Sequence, residues 1–155
     1  MEIRELRESD RSSLSRLIAE VQRELPEAMN FGSEPGLELI GETIGWKLEA
    51  VRSGALADLV AVEGGRVIAD CEVLCLGPEG IVGIIVTRGH RGRGVGRSLL
   101  ERCVARSRDL GVRTVSARVM ASNVRAISFF SGLGFEKQAP GSGNCDTVLM
   151  SRTLP

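Results

Sequence analysis

Two hydrophobic periods divide the chain. Leu14, Leu17, Ile18, Val21 and Leu25 recur three and four apart, the spacing of one face of a helix. Asp10 precedes that run as an N-cap and Pro26 follows it as a stop. Residues 26–36 hold two prolines and two glycines and read as a loop. Leu37, Ile40, Ile44, Leu48 and Val51 then repeat the helical spacing, weakened at Gly41 and Gly45 and closing near Gly54. Ahead of both helices, residues 2–7 read as a short, mostly polar strand with imperfect alternation.

After Gly54 the period changes to two. Leu59–Glu63, the Gly64-Gly65 turn and Arg66–Leu76 predict a hairpin, and Gly77-Pro78-Glu79-Gly80 makes the next turn. Ile81–Val86 is nearly unbroken apolar sequence, as expected for a central strand covered on both faces. A glycine-rich loop leads to a helix from Val95 to Leu110, with Leu99, Leu100, Cys103 and Val104 inward and Gly111 at its C-terminal stop. Val112–Met120 reads as a strand, and Asn123 caps a short helix ending near Leu133-Gly134. Phe135–Ala139 and Thr147–Ser151 close the chain as strands around Gly141-Ser142-Gly143. The order predicts one mixed α/β domain over residues 1–155.

Composition narrows the functional classes. A chain of 155 residues, 43% apolar and 26% charged, buries enough surface to fold without metals or disulfides. No apolar run approaches the ~20 residues that span a bilayer, and the chain starts charged; a cytoplasmic protein without membrane contact is expected. Cys71, Cys75, Cys103 and Cys145 lack metal-site spacing, and His90 is the only histidine, so no metal site is expected. Net charge is zero but unevenly placed. Residues 1–50 carry 6 basic and 11 acidic groups, whereas residues 88–125 carry 10 basic against 2 acidic. That basic segment invites a nucleic-acid reading, but one tryptophan and four phenylalanines give no stacking pattern, so no nucleic-acid partner is expected.

The basic segment centres on Arg91-Gly92-Arg93-Gly94-Val95-Gly96-Arg97, where an apolar strand runs through glycines into a helix start. Helix N-termini leave N–H groups unpaired and favour negative charge, and glycines at 92, 94 and 96 let a phosphate approach them. Arg91, Arg93 and Arg97 add counter-charge, which suits a pyrophosphate. The spacing is not that of a P-loop, because Gly94 is followed by Val95-Gly96 rather than lysine and a hydroxyl. Nor is it a dinucleotide fingerprint: Gly92-x-Gly94 runs on to Arg97, and the next strand carries no acid for a ribose.

The segment resembles the first signature of the GNAT superfamily of N-acetyltransferases, arginine or glutamine, two residues, glycine, one residue, then glycine or alanine. Asn123-Val124-Arg125-Ala126-Ile127-Ser128-Phe129-Phe130-Ser131-Gly132-Leu133-Gly134-Phe135 is similar to the family's second block. The resemblance implies a central mixed, mostly antiparallel sheet flanked by helices. It also implies acetyl-coenzyme A as acyl donor and an amine acceptor. Backbone groups of Ile84, Ile85 and Val86 would pair with the pantetheine arm, N–H groups of residues 92–97 (Gly92, Arg93, Gly94, Val95, Gly96, Arg97) would hold the pyrophosphate, and Asn123 would contact the cofactor arm. Homodimers are common among relatives, though no apolar stripe here demonstrates one.

The resemblance leaves the acid and base unfilled. Relatives often place a tyrosine where this chain has Phe130, which packs on a cofactor but transfers no proton. Some place a glutamate where this chain has Arg118, a permanent cation. Glu72 and Asp70 share a strand face and are the expected catalytic carboxylates, drawing a cationic amine and taking its proton through water. His90, Ser122 and an acyl-carrying Cys71 or Cys75 are weaker alternatives. The expectation is an N-acetyltransferase acting on a primary amine of a small molecule or peptide, and the alternative is a non-catalytic acyl-coenzyme A-binding regulatory module.

Overall fold

The computed structural model describes residues 1–24, 37–139 and 146–155, with only the helical backbone described at 37–39. The expectations for Leu25, Pro26, the 26–36 loop, the Gly141-Ser142-Gly143 turn and Cys145 lie outside the described residues. The strands are β1 (Glu2–Glu5), β2 (Leu56–Glu63), β3 (Arg66–Leu76), β4 (Glu79–Val86), β5 (Thr114–Met120), β6 (Glu136–Lys137) and β7 (Thr147–Thr153). The helices are α1 (Arg11–Glu24), α2 (Leu37–Ser53), α3 (Val95–Asp109) and α4 (Val124–Gly132). Strands follow the order β1-β2-β3-β4-β5-β7-β6, and only β4–β5 is parallel. The mixed α/β, mostly antiparallel architecture expected from sequence is the one observed.

Each sheet face buries its own helices. Leu14, Leu17, Ile18 and Val21 of α1 and Ile40, Ile44 and Leu48 of α2 pack with Val60 and Val67 on one face. On the other, Leu99, Leu100 and Cys103 of α3 and Phe130 of α4 pack with Ala57, Cys71, Val73, Val115, Ala117 and Val119. The alternation along β5 divides these faces, so Ser116 and Arg118 turn to the α1–α2 side. No helix among the described residues is long and apolar enough to cross a membrane.

Several local expectations need correction. Asp10 turns its carboxylate back to Arg7 N–H (2.8 Å) and to the Arg4 guanidinium (2.8 and 2.9 Å), closing a short 3-10 turn ahead of α1. Asp10 directly precedes Arg11, the first residue of α1, but Arg4 and the Arg7 amide occupy both of its carboxylate oxygens. The α2 helix runs unbroken through Gly41 and Gly45, because burial of Ile40, Ile44 and Leu48 offsets the poor propensity of two glycines. The Ile81–Val86 strand is central, but Ile81 is 44% exposed, since the α1–α2 layer stops short of it.

Candidate functional site

The site begins where two strands part. Strands β4 and β5 pair from Glu79 with Thr114 to Ile81 with Ser116, and no further. Beyond that point they frame a groove of about 560 Å³, lined by Val82–Val86, by Ala117–Met120 and by residues of the following turn and α4. Thr87 N–H donates to Ile68 O (2.9 Å), in register with Ile85 opposite Asp70 and Gly83 opposite Glu72. Antiparallel hydrogen bonds fall on alternate residues, so Gly83 and Ile85 direct their main-chain groups to β3, while Ile84 and Val86 direct theirs to the open side. The backbone of Ile85 therefore faces away from the groove, and the residue lines it by side chain.

The groove runs into the glycine turn. Gly92 and Gly94 have φ of +74° and +82°, a region where a Cβ is strained, and this fold brings the chain sharply from β4 into α3. Gly94 occupies the α3 N-cap and offers no side-chain cap, which leaves the first N–H groups of that helix open. A Cβ on Gly96 would meet the Phe129 ring at 3.3 Å, so the bare glycine lets α4 close against α3. Arg97 lines the groove, and Arg93 is exposed on the turn. Arg91 is used differently. Its Nε donates to Val86 O (2.9 Å) and its Nη2 to Glu24 (2.8 Å), so it braces the strand end against α1. Asn123 Oδ1 accepts from Ala126 N–H (3.2 Å), capping α4 at the groove wall. Phe130 is buried edge-on between Phe129 and Phe135.

On the α1–α2 side, Asp70 and Glu72 belong to a cluster that the sequence did not reveal. Lys47 Nζ lies 3.0 Å from Asp58, 2.7 Å from Asp70 and 3.1 Å from Glu72. Lysine and both aspartates are buried, and only Glu72 reaches solvent. Burial raises the Asp58 carboxyl well above its usual range, the charge of Asp70 adds to this, and Lys47 opposes it. Burial also disfavours the charged lysine, but Asp70, Asp58 and Glu72 together hold its pKa well above normal. Lys47 supplies the positive charge at the centre of the acidic trio. A lysine set into the apolar stripe Ile40, Ile44, Leu48, and an aspartate inside Leu56–Val60, were the available signals.

The remaining expected groups sit elsewhere. His90 binds Glu63 at 2.5 Å, at the foot of the turn. Burial raises the thiol pKa of Cys71 well above normal, and Cys71 and Cys103 face each other in the core. Burial likewise raises that of half-buried Cys75.

Uncapped helix donors, glycines with positive φ and an unpaired stretch of strand form one continuous path. That path fits a long thiol-bearing nucleotide. Its main-chain donors suit the pyrophosphate, and Ile84 and Val86 suit an amide-bearing arm. A sheet that opens between parallel strands beside such a turn makes a site for an extended ligand with a phosphate end. The chain belongs to the Acetyltransferase (GNAT) family, whose model matches residues 18–135.

Solved structures share the fold. A ribosomal-protein-alanine N-acetyltransferase from Brucella melitensis superposes with a TM-score of 0.81 at 23% identity, covering 99% of this chain and 100% of that one. The PaiA N-acetyltransferase from Thermoplasma acidophilum in complex with coenzyme A gives 0.82 at 17%, over 99% and 98%. YncA, a putative acetyltransferase from Salmonella typhimurium solved with acetyl-coenzyme A, gives 0.82 at 21%, over 100% and 94%. No curated protein sequence matches the chain.

Proposed function

We propose that the protein is an acetyl-coenzyme A-dependent N-acetyltransferase acting on a primary amine. The observation that carries this reading is the groove opened between β4 and β5, continuous with the uncapped N-terminus of α3. Bound acetyl-coenzyme A supplies a thioester carbonyl open to attack by an amine. Main-chain N–H groups of residues 92–97 bind the pyrophosphate, with Arg93 and Arg97 adding charge. Ile84 and Val86 orient the pantetheine arm as a neighbouring strand would, and Asn123 contacts it. Phe129 and Phe130 shield the groove from water, and Arg91 fixes the strand end through Val86 O.

The N–H of Ile84, free of β3 and one residue from the Gly83 that faces Glu72, is the oxyanion donor of this mechanism. An alkyl amine with pKa near 10 is neutral to about one part in a thousand at pH 7, so a proton must leave before attack. Glu72, the solvent-reaching carboxyl of its cluster, accepts that proton through water. Asp70 is bound to Lys47 at 2.7 Å and acts behind Glu72, holding the lysine in place. Phe130 donates no proton, and the thiolate departs without an enzymic acid.

A second reading, a non-catalytic acyl-coenzyme A-binding regulatory module, is favoured by the burial of Phe130 where relatives keep a tyrosine. Thiol release from acetyl-coenzyme A, followed across amines, amino acids and peptides, separates the two. Turnover on any acceptor supports transfer. Saturable binding without turnover on the whole panel supports the module, and absence of binding removes both.

A further inference from the structure

The groove has a charged row on its acceptor side, formed by partners in successive strands. Asp58 pairs with Glu72, and Glu72 with Gly83. Ile81 and Ser116 are the last paired residues of β4 and β5, so Gly83 and Arg118, each two residues on, stand across the opening from one another. All four positions lie on the α1–α2 face, since Lys47 of α2 reaches Asp58 and Glu72, a Cβ on Gly83 would meet Glu72, and Arg118 alternates with buried Ala117 and Val119. Gly83 is a bare floor between a carboxylate and a guanidinium. A side chain there would come within 3.3 Å of both Cγ and Oε1 of Glu72.

Arg118 is exposed, lines the groove, and has no ion pair or hydrogen bond among the described residues. It lies three residues, about 10 Å of strand, behind the Val86 end where the phosphates would sit. Arg97 and Arg125, the other groove arginines without a carboxylate partner among the described residues, stand in the first turns of α3 and α4 at the opposite face. Arg91 is already matched by Glu24. The unpaired charge of Arg118 therefore faces the acceptor rather than the nucleotide.

We infer that the acceptor is a small zwitterion of the α-amino acid class, its ammonium held toward Glu72 and its carboxylate toward Arg118 above Gly83. The inference rests on the transfer reading given above and names its substrate class. Two adjacent strand spacings of about 4.8 Å separate the Cα atoms of Glu72 and Arg118, widened by the parting of β4 and β5. Both side chains are long enough to lean inward over the bare floor. A plain alkylamine satisfies Glu72 and leaves Arg118 unmatched. The transfer itself moves the acetyl group from sulfur to nitrogen, forming one amide bond and breaking one thioester. The ammonium gives its first proton through water to Glu72 before attack, and the second, lost as the amide forms, passes through solvent to the departed thiolate.

The test uses matched triplets, for example L-leucine, L-leucinamide and 3-methylbutylamine, and the corresponding methionine and phenylalanine sets, with thiol release as readout. In at least one set the free acid is expected to exceed its amide in kcat/KM by about ten-fold or more, although the α-amine of the amide is the less basic and more often neutral. Arg118→Gln is expected to bring that acid-to-amide ratio to within about two-fold, and Arg118→Lys to restore part of it. Heat from titrating the acids into coenzyme A-saturated protein gives a readout independent of turnover. Turnover with no preference for any acid, or a preference that Arg118→Gln leaves intact, overturns the inference while the transfer reading stands. Acid binding abolished by Arg118→Gln but without turnover supports the recognition site and removes the transfer reading. Neither heat nor turnover overturns both.

Discussion

The turn before α3 and the cluster beneath α2 are both charged, yet they are built on opposite principles. The turn gathers its donors from neighbouring residues, Gly92 to Arg97, and needs almost no side chains. The cluster draws Lys47, Asp58, Asp70 and Glu72 from one helix and two strands, and exists only once the sheet and α2 have docked. The first gives Arg93 and Arg97 no ion pair among the described residues. The second encloses one lysine among three carboxyls, so its stability depends on internal balance. The difference predicts that changes in the turn alter binding more than folding, and changes in the cluster alter folding more than binding.

The sharpest break in that comparison is Lys47→Met. Removing the only cation leaves buried carboxyls uncompensated, and chemical denaturation should register a loss of about 3–5 kcal/mol. A loss below about 1 kcal/mol would mean that the trio does not depend on its lysine. Gly94→Ala, at φ +82°, should cost about 1–2 kcal/mol through backbone strain alone, since nothing lies within 4 Å of its Cβ. Acetyl-coenzyme A affinity should fall further than this strain accounts for. Asn123→Ala removes the bond to Ala126 N–H and should lower stability by about 1 kcal/mol in the same denaturation series.

The smallest effect is the pH dependence carried by Asp58. Burial raises its folded-state pKa above the ordinary 3.8, so the folded protein keeps a proton that the unfolded chain has lost. Its contribution is full below pH 3.8 and declines as pH rises toward the folded value. Asp58→Asn removes that decline, so the variant should gain on wild type between pH 5 and pH 8, as read from urea midpoints. A variant that loses ground to wild type over that interval would contradict the assignment.

What could be read from sequence follows the same division. The turn was legible because consecutive residues create it, and Asn123 was legible as a cap because capping acts over three residues. Glu72 and Asp70 were legible as sharing a face, since strand alternation is local. Their lysine was not, because 23 residues and a change of element separate Lys47 from Asp70. Which amides of Ile84, Ile85 and Val86 face the groove also lay out of reach, since that depends on the β3–β4 register. Arg91 read as phosphate counter-charge by proximity, and tertiary packing gave its guanidinium to Glu24 and Val86 instead.

The central claim is that the groove and turn hold acetyl-coenzyme A. Isothermal titration of the purified protein with acetyl-coenzyme A tests it most directly. Saturable one-site binding in the micromolar range, weakened by Gly94→Ala and retained in Asp58→Asn, is the predicted result. No binding heat at hundreds of micromolar ligand would contradict it.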